Sequence, residues 1–347
     1  MSQEIELKFE VSPEFATNLP QRLQHCQILE QGSQFLANCY YDTPDQYFAK
    51  QKMGLRVRKQ QEQYEMTLKT QGNVIGGLHI RPEYNVMLTH SQPDLALFSQ
   101  FDELNLPSEL VLQPLFSTDF MRQNWLVDYQ GAQIEIALDQ GTILAGERTV
   151  PILEVELELK QGQLADLLAF VDNELCADGM RVSNLSKAQR GYRLANKVSD
   201  TVVDWLAKWK KISELNAKTA DKNRLVFLDL AEFEQQLLNE TCQLGETFFA
   251  QQFLRTVERI GTFYHLFQYY LEQGKLLSLL QQEKGLSEAL LAESWQTLGL
   301  LSEKFGDIMR THSLTKDNSK AMLSLIDLVN SAEYVRHSLQ WIKFSVE

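Results

Sequence analysis

The sequence predicts an α+β protein in two parts: an antiparallel sheet or barrel of about eight strands, then an all-α helical bundle. Three observations carry this. Short runs of alternating apolar and polar residues fill the first 195 positions. Turn-forming clusters separate several of these runs. From about Val202 onward the apolar residues recur at three-to-four spacing, and no proline follows Pro151.

Taken in order, the first strand covers 4–11, where Ile5, Leu7 and Phe9 alternate with Glu4, Glu6 and Lys8. Ser12-Pro13-Glu14 opens a helix, predicted over 13–30, with proline at its first position. Strands follow at 35–42, 54–59, 63–70, 79–88, 120–129, 132–139 and 152–160. The turn signals are Asp42-Thr43-Pro44-Asp45, Gln71-Gly72-Asn73, Gly76-Gly77, Gln130-Gly131 and Gln140-Gly141. A helix is expected over 161–177 and a domain junction over 195–203. Helices are then predicted at 202–217, 224–243, 246–273, 286–304 and 318–342, with a polar loop from Asn216 to Asn223. The division is 1–197 and 203–347.

Hydrophobic residues make up 44% of the 347 and charged residues 23%, the balance of a globular protein. A net charge of −13 argues against a nucleic-acid coat and against general attraction to anionic membranes, and leaves room for a local cationic site. No apolar run approaches a membrane span, and no signal peptide is visible. Cys26, Cys39, Cys176 and Cys242 are scattered without CxxC spacing, as in a reduced cytoplasmic protein. His25, His79 and His90 lack metal-ligand spacing. Trp205 and Trp209, four apart, fit helix packing, and Tyr40-Tyr41-Asp42-Thr43-Pro44 reads as structural.

The chemistry lies in recurring charged strands. Glu4-Ile-Glu-Leu-Lys8 alone fits a solvated strand. Arg56-Val-Arg58, Thr67-Leu-Lys69, Arg81-Pro-Glu83 and Glu154-Val-Glu-Leu-Glu158 repeat its pattern. A closed sheet would gather Lys8, Arg56, Arg58, Lys69, Arg81 and Arg122 with Glu4, Glu6, Glu65, Glu83, Glu135, Asp139, Glu154, Glu156 and Glu158. Burying an unpaired ion costs several kcal/mol, so such an interior needs water, counter-ions or a charged ligand. Guanidinium and ammonium groups suit phosphate oxygens. Carboxylates repel phosphate unless a hard divalent cation bridges the two. Together these groups point to a metal-bound polyphosphate and to phosphoanhydride hydrolysis.

These segments, with Tyr64-Glu-Met-Thr-Leu-Lys69, Asp139-Gln-Gly141 and Ser186-Lys187-Ala-Gln-Arg190-Gly-Tyr192, resemble the CYTH, or triphosphate tunnel metalloenzyme, superfamily over residues 1–195. Tyr84-Asn-Val86, Gln113 to Phe120 and Gln133 to Gly141 resemble those bacterial members in which a helical domain follows. The resemblance implies an eight-stranded antiparallel barrel open at both ends. It also implies hydrolysis of inorganic triphosphate with Mg²⁺ or Mn²⁺, two ions per site. Lys8, Arg56, Arg58, Lys69, Arg122 and Lys187 would hold phosphates. Glu4, Glu6, Asp139, Glu154 and Glu156 would hold metal, and Glu4, Glu6, Lys8 and Lys69 would be catalytic. Glu158 would ligate or shape the surroundings, and Arg190 would meet phosphate or a carboxylate. The second part corresponds to a shortened CHAD-like domain. Its slightly acidic sequence lacks the basic, His- and Arg-bearing helix face that goes with polyphosphate binding. The alternatives are thiamine triphosphate or nucleoside triphosphates as substrate, ATP cyclisation, or a non-catalytic polyphosphate binder.

Overall fold

The computed structural model describes residues 2–107, 109–196, 202–218, 223–272 and 274–346. The expected junction at 195–203 and the loop Asn216–Asn223 fall partly outside these residues. The chain divides into two compact units. One comprises Met1–Phe170 with Asn184–Asp200, the other Val171–Ser183 with Thr201–Glu347.

In the first unit the strands are β1 (Ser2–Val11), β2 (Gln27–Asp42), β3 (Gly54–Gln60), β4 (Gln63–Lys69), β5 (Asn73–Ile75), β6 (Leu78–Leu88), β7 (Gln113–Tyr129), β8 (Ala132–Ala145) and β9 (Arg148–Gln161). Eight of them close a ring in the order β1-β9-β8-β7-β2-β3-β4-β6, with β6 returning to β1, and β5 hangs on β6. Every pairing around the ring is antiparallel. Closure leaves no free edge among these eight strands and gives each an inner and an outer face. The outer face carries the apolar alternation: Leu55, Val57, Met66, Leu68, Tyr84 and Val86 pack with Phe48 and Phe98.

Local chemistry sets several boundaries. Gln130 and Gly131, both at positive φ (56° and 92°), make the two-residue turn from β7 to β8. Gly76 and Gly77 do the same between β5 and β6. Ser12 caps the first helix, α1 (Pro13–Arg22), its Oγ accepting from Phe15 N at 3.1 Å. That helix is shorter than the predicted 13–30, because β2 begins at Gln27 and pairs along its length with β7. Long-range pairing overrides a local pattern that fits either state. Gln140-Gly141 is mid-strand rather than a turn. A Cβ on Gly141 would lie 2.1 Å from Asp119 O, so glycine here permits close approach of β7.

Three helices complete the unit: α2 (Tyr47–Lys50), α3 (Leu164–Phe170) and α4 (Lys187–Ala195). The inward residues at one end of the ring are apolar: Leu36, Tyr40, Phe116, Phe120, Ile143 and Ile152. Ala188, Tyr192, Leu194 and Ala195, from α4 or its end, pack on them. The expectation of two open ends therefore fails at this end, which α4 covers.

The second unit is helical, as predicted, but more finely divided. It holds α5 (Trp205–Lys218), α6 (Asn223–Phe249), α7 (Phe253–Glu272), α8 (Gly274–Lys284), α9 (Glu288–Thr315), α10 (Asn318–Val329) and α11 (Ala332–Val346). The predicted helix 318–342 breaks where Ser331 Oγ accepts from Tyr334 N and starts α11. Phe227, Phe233, Phe263, Phe267, Phe305 and Trp341 anchor the core. Trp205 and Trp209 both pack on Phe233. The segment Val171–Ser183 ends in a short buried strand, β10 (Met180–Val182). Among the described residues no helix is long and apolar enough to cross a membrane.

Candidate active site in the ring interior

Register alone puts the charged residues together. Cross-strand partners share a face, and the pairs run Glu4–Arg81, Lys8–Glu156, Asp139–Glu154, Arg122–Asp139, Asn38–Arg58, Arg58–Glu65, Arg56–Thr67 and Lys69–Glu83. All of these lie on the inner face, opposite the apolar outer set. Arg81 and Glu83 belong to it, with Pro82 on the opposite side of β6.

The charges fall into two clusters. In the first, Lys8 Nζ donates to Glu154 Oε1 at 3.0 Å and also to Glu156. Lys187, at the start of α4, lies 2.6 Å from Asp139 Oδ2 and 2.9 Å from Glu156 Oε1, and bonds Glu154 as well. Arg122 clamps Asp139 with two bonds of 2.7 Å and reaches Glu156 Oε2 at 2.7 Å. Arg190 Nη1 stands 3.4 Å from Glu154. In the second cluster, Lys69 Nζ donates to both oxygens of Glu4, at 2.8 and 2.7 Å, and lies 2.9 Å from Glu83. Arg81 and Arg56 stand farther off, 3.6 Å from Glu4 and 3.9 Å from Glu83.

Arg58 differs from the rest. Among the described residues it forms no ion pair; Nε donates to Asn38 Oδ1 at 2.8 Å, and Asn38 is fixed in turn by its bond to Thr118 O. Burial, with Arg56 and Arg122 adding their repulsion, pushes the Arg58 guanidinium down to about 9. An anion here would relieve all three.

The carboxylates titrate unequally. Burial, helped by Glu6 and Glu83 and opposed by Lys69, pushes Glu4 up to about 7. Burial and Glu156 push Glu6 the same way, but Lys8, Lys69 and Arg81 outweigh them and hold it at about 2. Asp139 and Glu156 are buried too, yet Lys187 and Arg122 hold both below the ordinary carboxylate range.

The donor set suits a hard divalent cation. Asp139, Glu154 and Glu156 each place a carboxylate oxygen within 4.8 Å of the others. Glu6 Oε1 is a buried acceptor that no hydrogen bond satisfies. These four carboxylates offer oxygen ligands, which fits a hard divalent cation better than a thiolate-seeking metal.

Every residue expected at the site from the sequence lies on this inner face except Lys187 and Arg190, which enter from α4. Glu135 and Glu158 are gathered by Lys160, 2.7 Å from each, where all three are partly exposed. Sequence reasoning missed Asn38 and Thr67, neutral side chains that hold Arg58 and Asn85. It also set aside His79, a buried imidazole opposite Glu6. Their parity with the charged residues was the available signal.

The sequence model of the CYTH domain matches residues 2–192. The chain is 42% identical over 354 aligned positions to the inorganic triphosphatase of Haemophilus influenzae, covering 100% of this chain and 98% of that protein. Among solved structures, a putative adenylyl cyclase from Hippeastrum, described as having a dominant triphosphatase activity, is 17% identical. It aligns with 55% of this chain and 96% of its own, at a TM-score of 0.39. A putative adenylate cyclase from Bacillus halodurans is 22% identical over 55% and 98% of the two chains, at a TM-score of 0.37. With a match to more than half of its length, and a relative similar along all of it, the chain belongs to the CYTH domain family.

Proposed function

We propose that the chain hydrolyses inorganic triphosphate to phosphate and diphosphate inside the ring. The observation that carries this is the sorting of interior charge. A carboxylate cluster fit for metal adjoins Arg122, Arg56 meets Glu83 only at 3.9 Å, and among the described residues Arg58 forms no ion pair. The similarity to a named inorganic triphosphatase supports the choice of substrate.

In this reading Lys8, Arg56, Arg58, Lys69, Arg122 and Lys187 bind the phosphate oxygens. Glu4, Glu6, Asp139, Glu154 and Glu156 bind Mg²⁺ or Mn²⁺, two per site. The lysines and Arg122 bond these carboxylates, so binding would exchange partners rather than bury new charge. That reduces the desolvation cost that a bare charged cavity would impose. When bound, the metal would supply charge neutralisation and would lower the pKa of water. The cations hold the phosphate chain in line, so that the oxygen of a water bonds a terminal phosphorus as the bridging P–O bond breaks, the water's protons passing to the released phosphate and to solvent. Lys8, Lys69 and the guanidiniums then stabilise the charge gathering on diphosphate. We place the catalytic domain at 1–197 and a shortened CHAD-like helical domain at 203–347, in a cytoplasmic protein with four unbridged cysteines.

The test is phosphate release from triphosphate, ATP and thiamine triphosphate, each with Mg²⁺, Mn²⁺ or a chelator. Triphosphate with metal should be the best substrate, and chelator should abolish release. Equal or faster turnover of ATP or thiamine triphosphate would remove the substrate assignment. Silence on all three would remove the enzymatic one.

A further inference from the structure

We propose that Asp42 and Tyr192 form a positioning pair that sets the depth of Lys187 in the site; this rests on the triphosphatase reading. The pair joins two motifs 150 positions apart, the turn after β2 and the end of α4. Asp42 is fully buried and accepts four hydrogen bonds. Oδ1 takes Thr43 N at 2.8 Å and Phe48 N at 2.9 Å, while Oδ2 takes Ala49 N at 3.0 Å and the Tyr192 hydroxyl at 2.9 Å. Three backbone amides therefore aim the carboxylate, and the fourth bond goes to α4. A carboxylate so pinned is a rigid anchor, and a hydrogen bond to a charged group is stronger than a neutral one.

What hangs from the anchor is the helix that carries Lys187. The Tyr192 ring stands edge-on to Phe116 at 5.3 Å. Gly191 lets α4 approach closely, since a Cβ there would fall 2.0 Å from the Phe116 ring. At the other end Ser186 caps the helix with reciprocal bonds to Gln189. Lys187 Nζ sits among Asp139, Glu154 and Glu156, and Arg190 lies beside Glu154. α4 is held elsewhere too, by Arg190 to Pro151 O and Glu154 and by Arg148 to Ala195 O at 3.3 Å, so loss of the Tyr192 bond would tilt the helix rather than free it. Lys187 would feel that shift directly; Lys8 and Arg122, carried on strands, would not. Asp42 and Tyr192 would act through Lys187 without touching the substrate.

Tyr192→Phe keeps the ring packing and removes only the hydroxyl. We expect kcat/KM for triphosphate to fall about tenfold, the scale of groups that orient a functional side chain. In a Lys187→Ala background the same change should cost less than about twofold, because the residue being positioned is gone. An equal loss in both backgrounds, or none in either, would overturn the proposal. Asp42→Asn, which leaves the backbone amides an acceptor, should show the same dependence on Lys187. Amide hydrogen exchange over 187–195 gives a readout independent of turnover. It should quicken in Tyr192→Phe with the rest of the ring unchanged; unchanged exchange there would also overturn the pair. If the wild-type chain releases no phosphate from triphosphate, the catalytic reading fails. The exchange experiment still decides whether Tyr192 anchors α4.

Discussion

Each unit of this molecule buries charge, and the two do it in opposite ways. In the helical unit Glu234 is buried and saturated. Its oxygens accept from Tyr334 at 2.5 Å and Tyr270 at 2.7 Å and meet His337 Nε2 at 2.8 Å. One carboxylate thus has three neighbours drawn from α7 and α11 and, among the described residues, no oxygen left without a partner, although His337 Nδ1 has none. In the ring, several cations share several carboxylates, Glu6 keeps an unsatisfied oxygen, and among the described residues Arg58 bonds the Asn38 amide and no carboxylate. A closed network specifies packing. A network whose members compete for partners, some left wanting, is suited to accept a ligand that completes it.

The largest expected effect tests the open network. Glu6→Gln keeps the shape of a side chain that no hydrogen bond holds at Oε1, so the fold should survive. Metal-dependent phosphate release should fall by at least about a hundredfold, as when a group stabilising transition-state charge is removed. Normal turnover with normal thermal unfolding would place Glu6 outside the site. Next is Arg58→Ala. With no carboxylate partner to orphan, it should melt near the wild-type temperature while KM for triphosphate rises about tenfold or more, the loss of a charge-assisted contact. A KM unchanged within twofold would break the claim that this end of the ring waits for an anion.

The closed network should respond in stability instead. Glu234→Gln should cost about 2 kcal/mol, the worth of hydrogen bonds to a charged group, and leave kcat/KM untouched below the melting range. Burial alone would push the Glu234 carboxyl up, but His337 and the two tyrosine hydroxyls outweigh it and hold it below the ordinary range. A carboxyl depressed in the folded state stabilises fully above its unfolded value of about 4.3, and that contribution is lost as pH falls through the folded value. The gap in melting temperature between wild type and Glu234→Gln should therefore be full at pH 7 and close below about pH 4. A gap that widened on acidification would reverse the assignment.

How much of this was legible beforehand depends on what each level of structure decides. Strand parity put Glu4, Glu6, Lys8, Glu154 and Glu156 on one face, because a period of two is local. The inwardness of that face was not local, since it follows from closure of β6 onto β1. Hairpin turns at Gly76-Gly77 and Gln130-Gly131 were readable from glycine at positive φ, while Gly141 misled because its reason lies in a neighbouring strand. The β2 segment 27–30 read as helix, and only its partner β7 decides it. Lys187 could be placed from the sequence only by family resemblance, since it reaches the cluster from a helix rather than by strand parity. The role of Asp42 was hidden for the same reason: its partner is 150 positions away.

The smallest expected effect marks where the functional network stops. Glu135 and Glu158 share the inner parity of the carboxylates proposed to hold metal, and family resemblance alone would extend the site to Glu158. In the structure Lys160 bonds both, and its own side chain is 37% exposed. Burial draws the Lys160 ammonium down, but the two carboxylates more than reverse that and raise it. An ion pair this open to water is worth little, and its charges are balanced without a ligand. Lys160→Met keeps the aliphatic stem and removes the charge, leaving Glu135 and Glu158 to repel each other in reach of solvent. We expect kcat/KM for triphosphate to stay within about threefold of wild type. A tenfold loss, with unchanged melting, would move the boundary outward and make Glu158 part of the site. The division between closed and open networks would then hold between the two units but fail within the ring.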